Sequence, residues 1–433
     1  MAKIFLYDEF APEDLAMMQA LYSRSPESVE KHVEKVRESG SGKFMEKFYV
    51  GYGHASIADC GSTTLFIEDV SILVDKAIQE SRLYSGQETS TRYIDMSKQR
   101  MVDPVESKVS QSILCRWMDF YVSSQEKVKD DLVKSYPIQA NENDASYIRA
   151  IAARSFDILR GFLPAGITTQ LSWHTNLRQA YDKLTLLRYH PLEEAREAAR
   201  AIHVKLQEKY PHSFSHIPNE EQERYREYAA KEFSYFVPSK KPAEFSCKST
   251  VNVVSLSPYK KFLSTRPPKT LLPTFLGDTG LFSFSFLLDY GSFRDIQRHR
   301  SGICRMPLLT TQLGFHRWYL DGLSRRIRVS AEKLLREQEK RIASLSCSDI
   351  DRQYYIPLGY RVACRMTFDL PSAVYVAELR SGNAVHPTLR TVAQNIGKIL
   401  KKSFPFLALY CDFEKDRWDV GRGNQTIQEK KKS

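Results

Sequence analysis

Phenylalanine and serine alternate through FSFSFLLDY, residues 282–290. A period of two sends every second side chain to one face, as in a half-buried strand. GSFRDIQRHR follows and predicts a short helix. An earlier stretch has the same order. TTLFIEDV (63–70) reads as a strand, and in the following SILVDKAIQESRL the positions Val70, Leu73, Val74, Ala77 and Ile78 fall at helical spacing. Each strand and helix delivers a polar loop, YSGQETSTRY in the first case and SGICRMPLLTTQ in the second. Further on, LLRYHPLEEAREAARAI (186–202) and ELRSGNAVHPTLRTVAQNI (378–396) share Leu-Arg, then His-Pro, then an amphipathic helix. Pro191 and Pro387 suit a helix's first turn, where the missing N–H costs nothing. Two matching segments in one order argue for duplication. Periodicity also predicts long helices over 105–135, 145–162, 220–235 and 323–345. The last is densely charged and reads as solvated or subunit-facing.

The turn-rich, basic VPSKKPAEFSCKS (237–249) reads as an exposed connector. The predicted organisation is a first repeat over 1–238, a linker over 239–249 and a more divergent second repeat over 250–433. A chain of 433 residues is too long for one ordinary core, which agrees with two domains. Its 42% hydrophobic and 27% charged residues are ordinary for a soluble globular protein. With no apolar run of eighteen residues, no transmembrane helix is predicted and no membrane partner is expected. MAKIFLYDEFAPEDL reads as a first strand and turn, not a signal peptide. The seven cysteines form no CxxC pair, so they read as reduced thiols of a cytoplasmic protein, without a metal site or disulfides. A net charge of +11 admits nucleic acid, but equally phosphate-bearing small molecules. The basic residues are spread along the chain, dense only in the tail EKKKS, which reads as a frayed, solvated terminus. No nucleic-acid-binding signature appears, so that partner is disfavoured.

SRLYSGQETSTRY (81–93) packs Arg82, Ser85, Gln87, Glu88, Ser90 and Arg92 closely together. Arginine forks onto phosphate, hydroxyls complete a cradle, glutamate accepts a sugar hydroxyl and glutamine reads a base edge. The alternative is a polar turn after a helix. GYGHASIADCG (51–61) sets His54, Ser56 and Asp59 among small residues that let a backbone approach a ligand. The alternative there is a helix entry with an incidental cap. IQRHRSGICR (296–305) offers Arg298, His299 and Arg300 as a grip for an anion, yet lacks neutral donors and a carboxylate beside them.

The order GHASIAD, strand, helix, RLYSGQETSTRY, then LRGFLP (159–164) and SWHTNLRQAYDKLTLLRYH (172–190), resembles the flavin-dependent thymidylate synthases. Their hallmark is Arg-His-Arg, two residues, Ser, then a short stretch ending Ser-x-Arg. The likeness spans most of the first half and is fainter in the second, at RHR and ELRSGNAVHP. It implies an α+β fold, here two tandem repeats of the synthase fold in a long form, each a sheet flanked by helices. It also implies a homodimer imitating the family's tetramer of single-domain chains. The motif is split. The first repeat has Glu80-Ser81-Arg82 in place of Arg-His-Arg but keeps Ser85, Glu88, Ser90 and Arg92. The second keeps Arg298-His299-Arg300 but has Ile303 and Leu308 where serines are expected. Hybrid sites built from both repeats are therefore expected.

The reaction so implied methylates dUMP, with methylenetetrahydrofolate as carbon donor, reduced FAD as hydride donor and NADPH as reductant. The resemblance assigns dUMP to Arg82, Gln87, Glu88, Ser90, Arg92, Arg160 and Arg188. It assigns flavin or folate to His54, Ser56, Asn176, Arg178, His190, Arg298, His299, Arg300, Arg380 and His386. The implied catalytic set is His54, Ser90 and Arg188, with Ser90 orienting the uracil, not attacking it. The split motif also suits a silent paralogue, or one of altered specificity that binds flavin or nucleotide.

Overall fold

The computed structural model describes residues 3–239 and 241–425. The predicted tail EKKKS lies outside the described residues. In chain order the main elements begin with α1 Pro12–Tyr22, α2 Val29–Ser39, β1 Ser62–Ser71 and α3 Ile72–Gln79. Then come α4 Lys108–Ser135, α5 Asp144–Leu159, β2 Thr168–Asn176, α6 Leu177–Leu187, α7 Glu193–Lys209 and α8 Glu220–Phe233. The rest are β3 Phe245–Ser249, β4 Leu281–Asp289, α9 Tyr290–Gln297, β5 Ile303–Arg305, α10 Arg325–Ala343, β6 Arg361–Asp369, α11 Leu370–Ser381 and α12 Pro387–Ser403. The strands form two separate sheets, β1-β2 and β3-β4-β6-β5, so the fold is α+β.

Packing divides the chain into two compact units. One holds residues up to Val70, then Val74–Glu88 and Thr169–Ser234. The other holds Ser71–Leu73, Thr89–Thr168 and Tyr235 onward. Packing and ancestry partition a chain by different criteria, so the repeat boundaries stay a proposal about ancestry.

In the first unit, Met17 and Met18 of α1 pack with Val33 and Val36 of α2, and Tyr7 and Phe10 close over them. That placement explains why the expected N-terminal strand is missing. Tyr7 and Phe10 are drawn onto helices, while Ile4 and Leu6 are left exposed without a strand partner. Asn176 ends β2 and starts α6, its side chain accepting the N–H of Gln179 at 2.8 Å, a regular N-cap.

In the second unit, Phe282, Phe284 and Phe286 of β4 are buried on one sheet face while Ser283 and Ser285 point to the other. Burying each such ring contributes roughly 1.5–3 kcal/mol. The sheet is antiparallel throughout, with Phe284 opposite both Cys247 of β3 and Met366 of β6. The stretch read as a connector thus ends in an edge strand, because Phe245–Ser249 satisfies the free edge of β4. Helix α10 is not simply solvated. Ile327, Ala331, Leu334, Leu335 and Ile342 form a buried stripe, and Gln338 donates to the Ile113 carbonyl of α4 at 2.7 Å. Counting charges hid that stripe, since Arg and Lys occupy only the outer face.

Two turns in this unit pair reciprocally. Ala165 N–H donates to Ile356 O at 2.9 Å and Leu358 N–H to Leu163 O at 2.8 Å. Gly166 N–H donates to Tyr354 O at 2.9 Å and Gly359 N–H to Gly161 O at 2.8 Å. A Cβ on Gly166 or Gly359 would stand 2.8 Å from the carbonyl it pairs with, so the close approach requires glycine. The helix starts follow suit. Ile72 N–H reaches Ile167 O at 3.1 Å, and Tyr290 N–H reaches Tyr360 O at 3.0 Å.

Candidate functional site

A buried charge cluster in the second unit gathers residues from both halves of the sequence. Arg160 lies in the 3-10 turn after α5, and its side chain is only 2% exposed. Its Nη2 donates to Ser292 Oγ at 2.8 Å, and its guanidinium lies 3.9 Å from Asp289 and 3.7 Å from Asp295. Asp289, Ser292 and Asp295 are spaced by three, so α9 and its N-cap present them on one side. Asp289 caps α9 through the Ser292 N–H at 2.9 Å and accepts the Tyr319 hydroxyl at 2.7 Å.

Arg92 forks onto Asp157, Nε to Oδ1 at 2.8 Å and Nη2 to Oδ2 at 3.2 Å, and also donates to Ala384 O at 3.2 Å. Arg422 pairs with the same carboxylate. Burial alone would raise the Asp157 pKa. Arg92 and Arg422 outweigh it and hold the carboxyl well below its usual range. Asp295 is governed the same way. Burial raises it, but Arg160, Arg298, Arg92 and Arg380 together keep it lowered. Cations of the first half and of the second therefore act on one carboxylate.

Two histidines complete the cluster as neutral rings. Burial holds His299 down to about 3, helped by Arg380, whose Nε donates to His299 Nε2 at 2.8 Å. That donor makes Nε2 the acceptor and puts the ring proton on Nδ1. Burial, with Arg160 beside it, holds His386 well below its usual value. Its Nε2 faces the Asp157 carbonyl at 3.3 Å, which can only accept, so Nε2 carries the proton and Nδ1 accepts from Thr388 at 2.8 Å. Arg380 Nη2 also donates to the Asp295 carbonyl at 3.0 Å, and Arg300 Nε reaches the Arg298 carbonyl at 3.4 Å. Ser90, in the same unit, accepts the Arg92 N–H at 3.2 Å and so shapes the turn that carries Arg92.

The remaining expected residues lie in the first unit, in smaller groups. Asn176 and Arg178 converge on Asp59, at 3.1 and 2.7 Å. Arg188 pairs with Glu223 of α8 at 3.1 Å, and the Tyr189 hydroxyl meets the same carboxylate. Glu88 accepts from Gln79. Burial, with Lys76 and Lys183 nearby, holds His190 down to about 3. His54 and Ser56 are exposed at the helical turn Ala55–Ala58, the His54 ring against Phe48 and Tyr52. Arg82 and Gln87 are also exposed.

Sequence reading missed Asp157, Asp289, Asp295 and Arg422. A signal existed for two of them, since Asp157 precedes Arg160 by three and Asp295 precedes Arg298 by three. Helical spacing puts such a carboxylate beside its arginine. Arg422 had none, because only the fold brings the segment Val420–Gln425 against α5.

The fold and the cluster define an α+β protein with a buried, cation-rich site drawn from distant stretches of sequence. Residues 6–212 match the family described as thymidylate synthase complementing protein. A UPF0159 protein of Chlamydia pneumoniae is 24% identical, over 89% of this chain and 83% of its own length. A UPF0159 protein of Thermoplasma acidophilum is 23% identical, over 91% of this chain and 94% of its own. These likenesses run through both halves and so agree with a long form.

Proposed function

We propose that the protein is a flavin-dependent thymidylate synthase that methylates dUMP with methylenetetrahydrofolate, in hybrid sites built from two tandem repeats. The observation that carries this reading is the Asp295 environment, where Arg92 and Arg160 of the first half meet Arg298 and Arg380 of the second. The split motif predicts that meeting. Arg92, Arg160, Arg298, Arg380 and Arg422 gather around Asp157, Asp289 and Asp295, and the histidines are neutral. Guanidinium groups gathered in this way suit a phosphate dianion.

The reciprocal turns support duplication. Pairing Gly161 with Tyr354 sets Gln353 opposite Arg160. Gln353 is neutral and spends its Oε1 on the Leu309 N–H at 3.0 Å. The second repeat has a neutral amide where the first has a cation, which fits one working site per chain and a homodimer that imitates a tetramer.

The donor set fits FAD as well as nucleotide. Guanidinium forks suit a pyrophosphate, and Arg160 Nε is buried without a hydrogen-bond partner among the described residues. When bound, the flavin supplies the hydride chemistry, with NADPH as its reductant. The chain's own residues bind and orient. Arg92 and Arg160 hold the substrate phosphate, and Ser90 and Glu88 orient sugar and base, joined by Arg82, Gln87 and Arg188. Arg298, His299, Arg300, Arg380 and His386 face the flavin, with His54, Ser56, Asn176, Arg178 and His190 as further flavin or folate contacts. Fixing the phosphate contributes binding energy to the alignment of the uracil. The reaction belongs in the cytoplasm.

One observation favours the second reading, a silent or altered paralogue. Arg92 is already satisfied by Asp157, and Arg160 already faces two aspartates. The deciding experiment is rescue of a thymidine-requiring bacterial strain, paired with the spectrum of the purified protein. Rescue with a yellow protein is expected. A yellow protein without rescue supports the silent binder, and a protein that takes up no FAD ends the first reading and the flavin-binding form of the second.

A further inference from the structure

The open face of the second unit's sheet carries an unusual set of residues. Ser283 and Ser285 sit on the central strand β4, flanked by Ser246 and Lys248 on β3 and by Arg365 on β6. Serine fits strands poorly and fills little space, so two in register leave a hollow in the middle of the sheet. Phe236–Ser239 and Lys241–Ala243 line that hollow, which forms a cleft of about 440 Å³. Phe236, Val237, Pro238 and Pro242 give it an apolar wall. Lys241, Lys248 and Arg365 reach it, and among the described residues no carboxylate lines it. Glu244, next in the chain, is turned to Arg361 at 2.8 Å. None of the three lining cations has an ion pair among the described residues.

The sheet register sharpens the argument. Arg305 of β5 stands directly opposite Arg365, with its guanidinium 5.7 Å from the Phe236 ring. Like charges directly opposed across a strand pair are destabilising by a few tenths of a kcal/mol or more. The cleft's volume is in the range of small-molecule sites, roughly 300–1,000 Å³.

We propose that this cavity binds a phosphorylated small molecule with an apolar end, of the nucleoside diphosphate class. Lys241, Lys248 and Arg365 take the phosphates, the serine hydroxyls complete the cradle, and the wall of Phe236, Val237, Pro238 and Pro242 covers the apolar part. The site does not depend on the methylation chemistry.

The test is protection of lysines from an acylating reagent, read by peptide mass spectrometry on the full chain. ADP, inorganic pyrophosphate and adenosine are the probes, and exposed Lys333 of α10 is the reference. ADP and pyrophosphate should slow acylation of Lys241 and Lys248, by about tenfold at ten times the dissociation constant. Adenosine should not, and Lys333 should be unchanged. Arg365→Glu should abolish the protection. Unchanged labelling at saturating ADP and pyrophosphate overturns the proposal, as does equal protection in Arg365→Glu. Lysines already shielded without probe overturn it too, since that would mean another copy of the chain covers the face. The unmutated protein decides the matter even where the variant fails to fold.

Discussion

The stretches Glu80-Ser81-Arg82 and Arg298-His299-Arg300 follow helices α3 and α9 at equivalent points, yet their surroundings are opposite in kind. Glu80 is gripped by amines. Lys76 pairs with it at 2.7 Å, and Lys183 donates to its carbonyl at 2.8 Å. Burial would raise its pKa, but Lys76 and Lys183 keep it lowered. Around Asp295 the partners are guanidiniums, drawn from four distant stretches of sequence. Ammonium groups are point charges that a single glutamate can engage. Guanidinium forks keep donors in reserve for a planar or tetrahedral anion. One region is a local ion pair, while the other gathers guanidinium groups around a buried carboxylate. The physical difference between the two stretches lies in the kind of cation around each carboxylate.

The sharpest way to break this comparison is at Arg160. Arg160→Ala should take the nearby cation from buried Asp289 and one of four from Asp295, at a cost of about 3–5 kcal/mol. Arg160→Lys keeps a charge but not the fork, and should fold better while still failing to hold the phosphate. On the proposed function, its dUMP turnover should fall about a hundredfold, a loss read as kcat/KM. Turnover unchanged in Arg160→Lys would remove the second region's claim to be the working one.

Asp157→Asn comes next. It strips the shared partner from Arg92 and Arg422, both largely buried, and should destabilise by about 3 kcal/mol in urea unfolding. The equivalent change on the first side, Glu80→Gln, faces a carboxylate side chain that is 40% exposed and should matter far less.

Acid probes both regions at once. His190 and His299 are held near 3, and His386 well below its usual value. Unfolded, each would take up a proton near pH 6.5; folded, it stays neutral. Stability is therefore full above about pH 6.5 and falls as pH drops, by up to about 1.4 kcal/mol per pH unit per histidine. Asp157, Asp295 and Glu80, all lowered, add to the loss once pH passes below the unfolded carboxylate range. Urea midpoints at pH 7.5, 6.5 and 5.5 should fall in that order, and His299→Gln should flatten the slope.

How much of this was legible follows from what is local. The Phe-Ser alternation of β4, the His-Pro helix starts and the limits of α4, α5 and α8 came from periodicity and caps, which short windows contain. Strands β2 and β6 were not predicted; in TTQLSWHTN the buried positions include Thr169 and Thr175, polar residues that blur the apolar alternation. The chemistry of the site was half legible. Cations stand out in a sequence, and Arg92, Arg160, Arg298 and Arg380 do lie in one unit. The aspartates that restrain them do not stand out, because a lone Asp in a helix resembles any surface residue until the fold buries it. Arg422 depended wholly on tertiary contact.

The smallest expected effect is also the cleanest test of the resemblance in the first unit. Arg188 is assigned to dUMP, yet its side chain is 28% exposed and already pairs with Glu223, which also meets Tyr189 and Arg226. If that pairing is purely structural, Arg188→Ala costs about 0.5–1 kcal/mol, the ordinary value of a partly exposed ion pair, and leaves turnover alone. If Arg188 swings to the substrate, Glu223→Gln should leave binding intact or tighten it by freeing the guanidinium, while Arg188→Ala raises KM. The two variants therefore move KM in opposite directions only if the arginine is shared between a helix contact and the nucleotide. Equal, small stability losses with unchanged KM in both would assign Arg188 to the fold and confine the working site to the second unit.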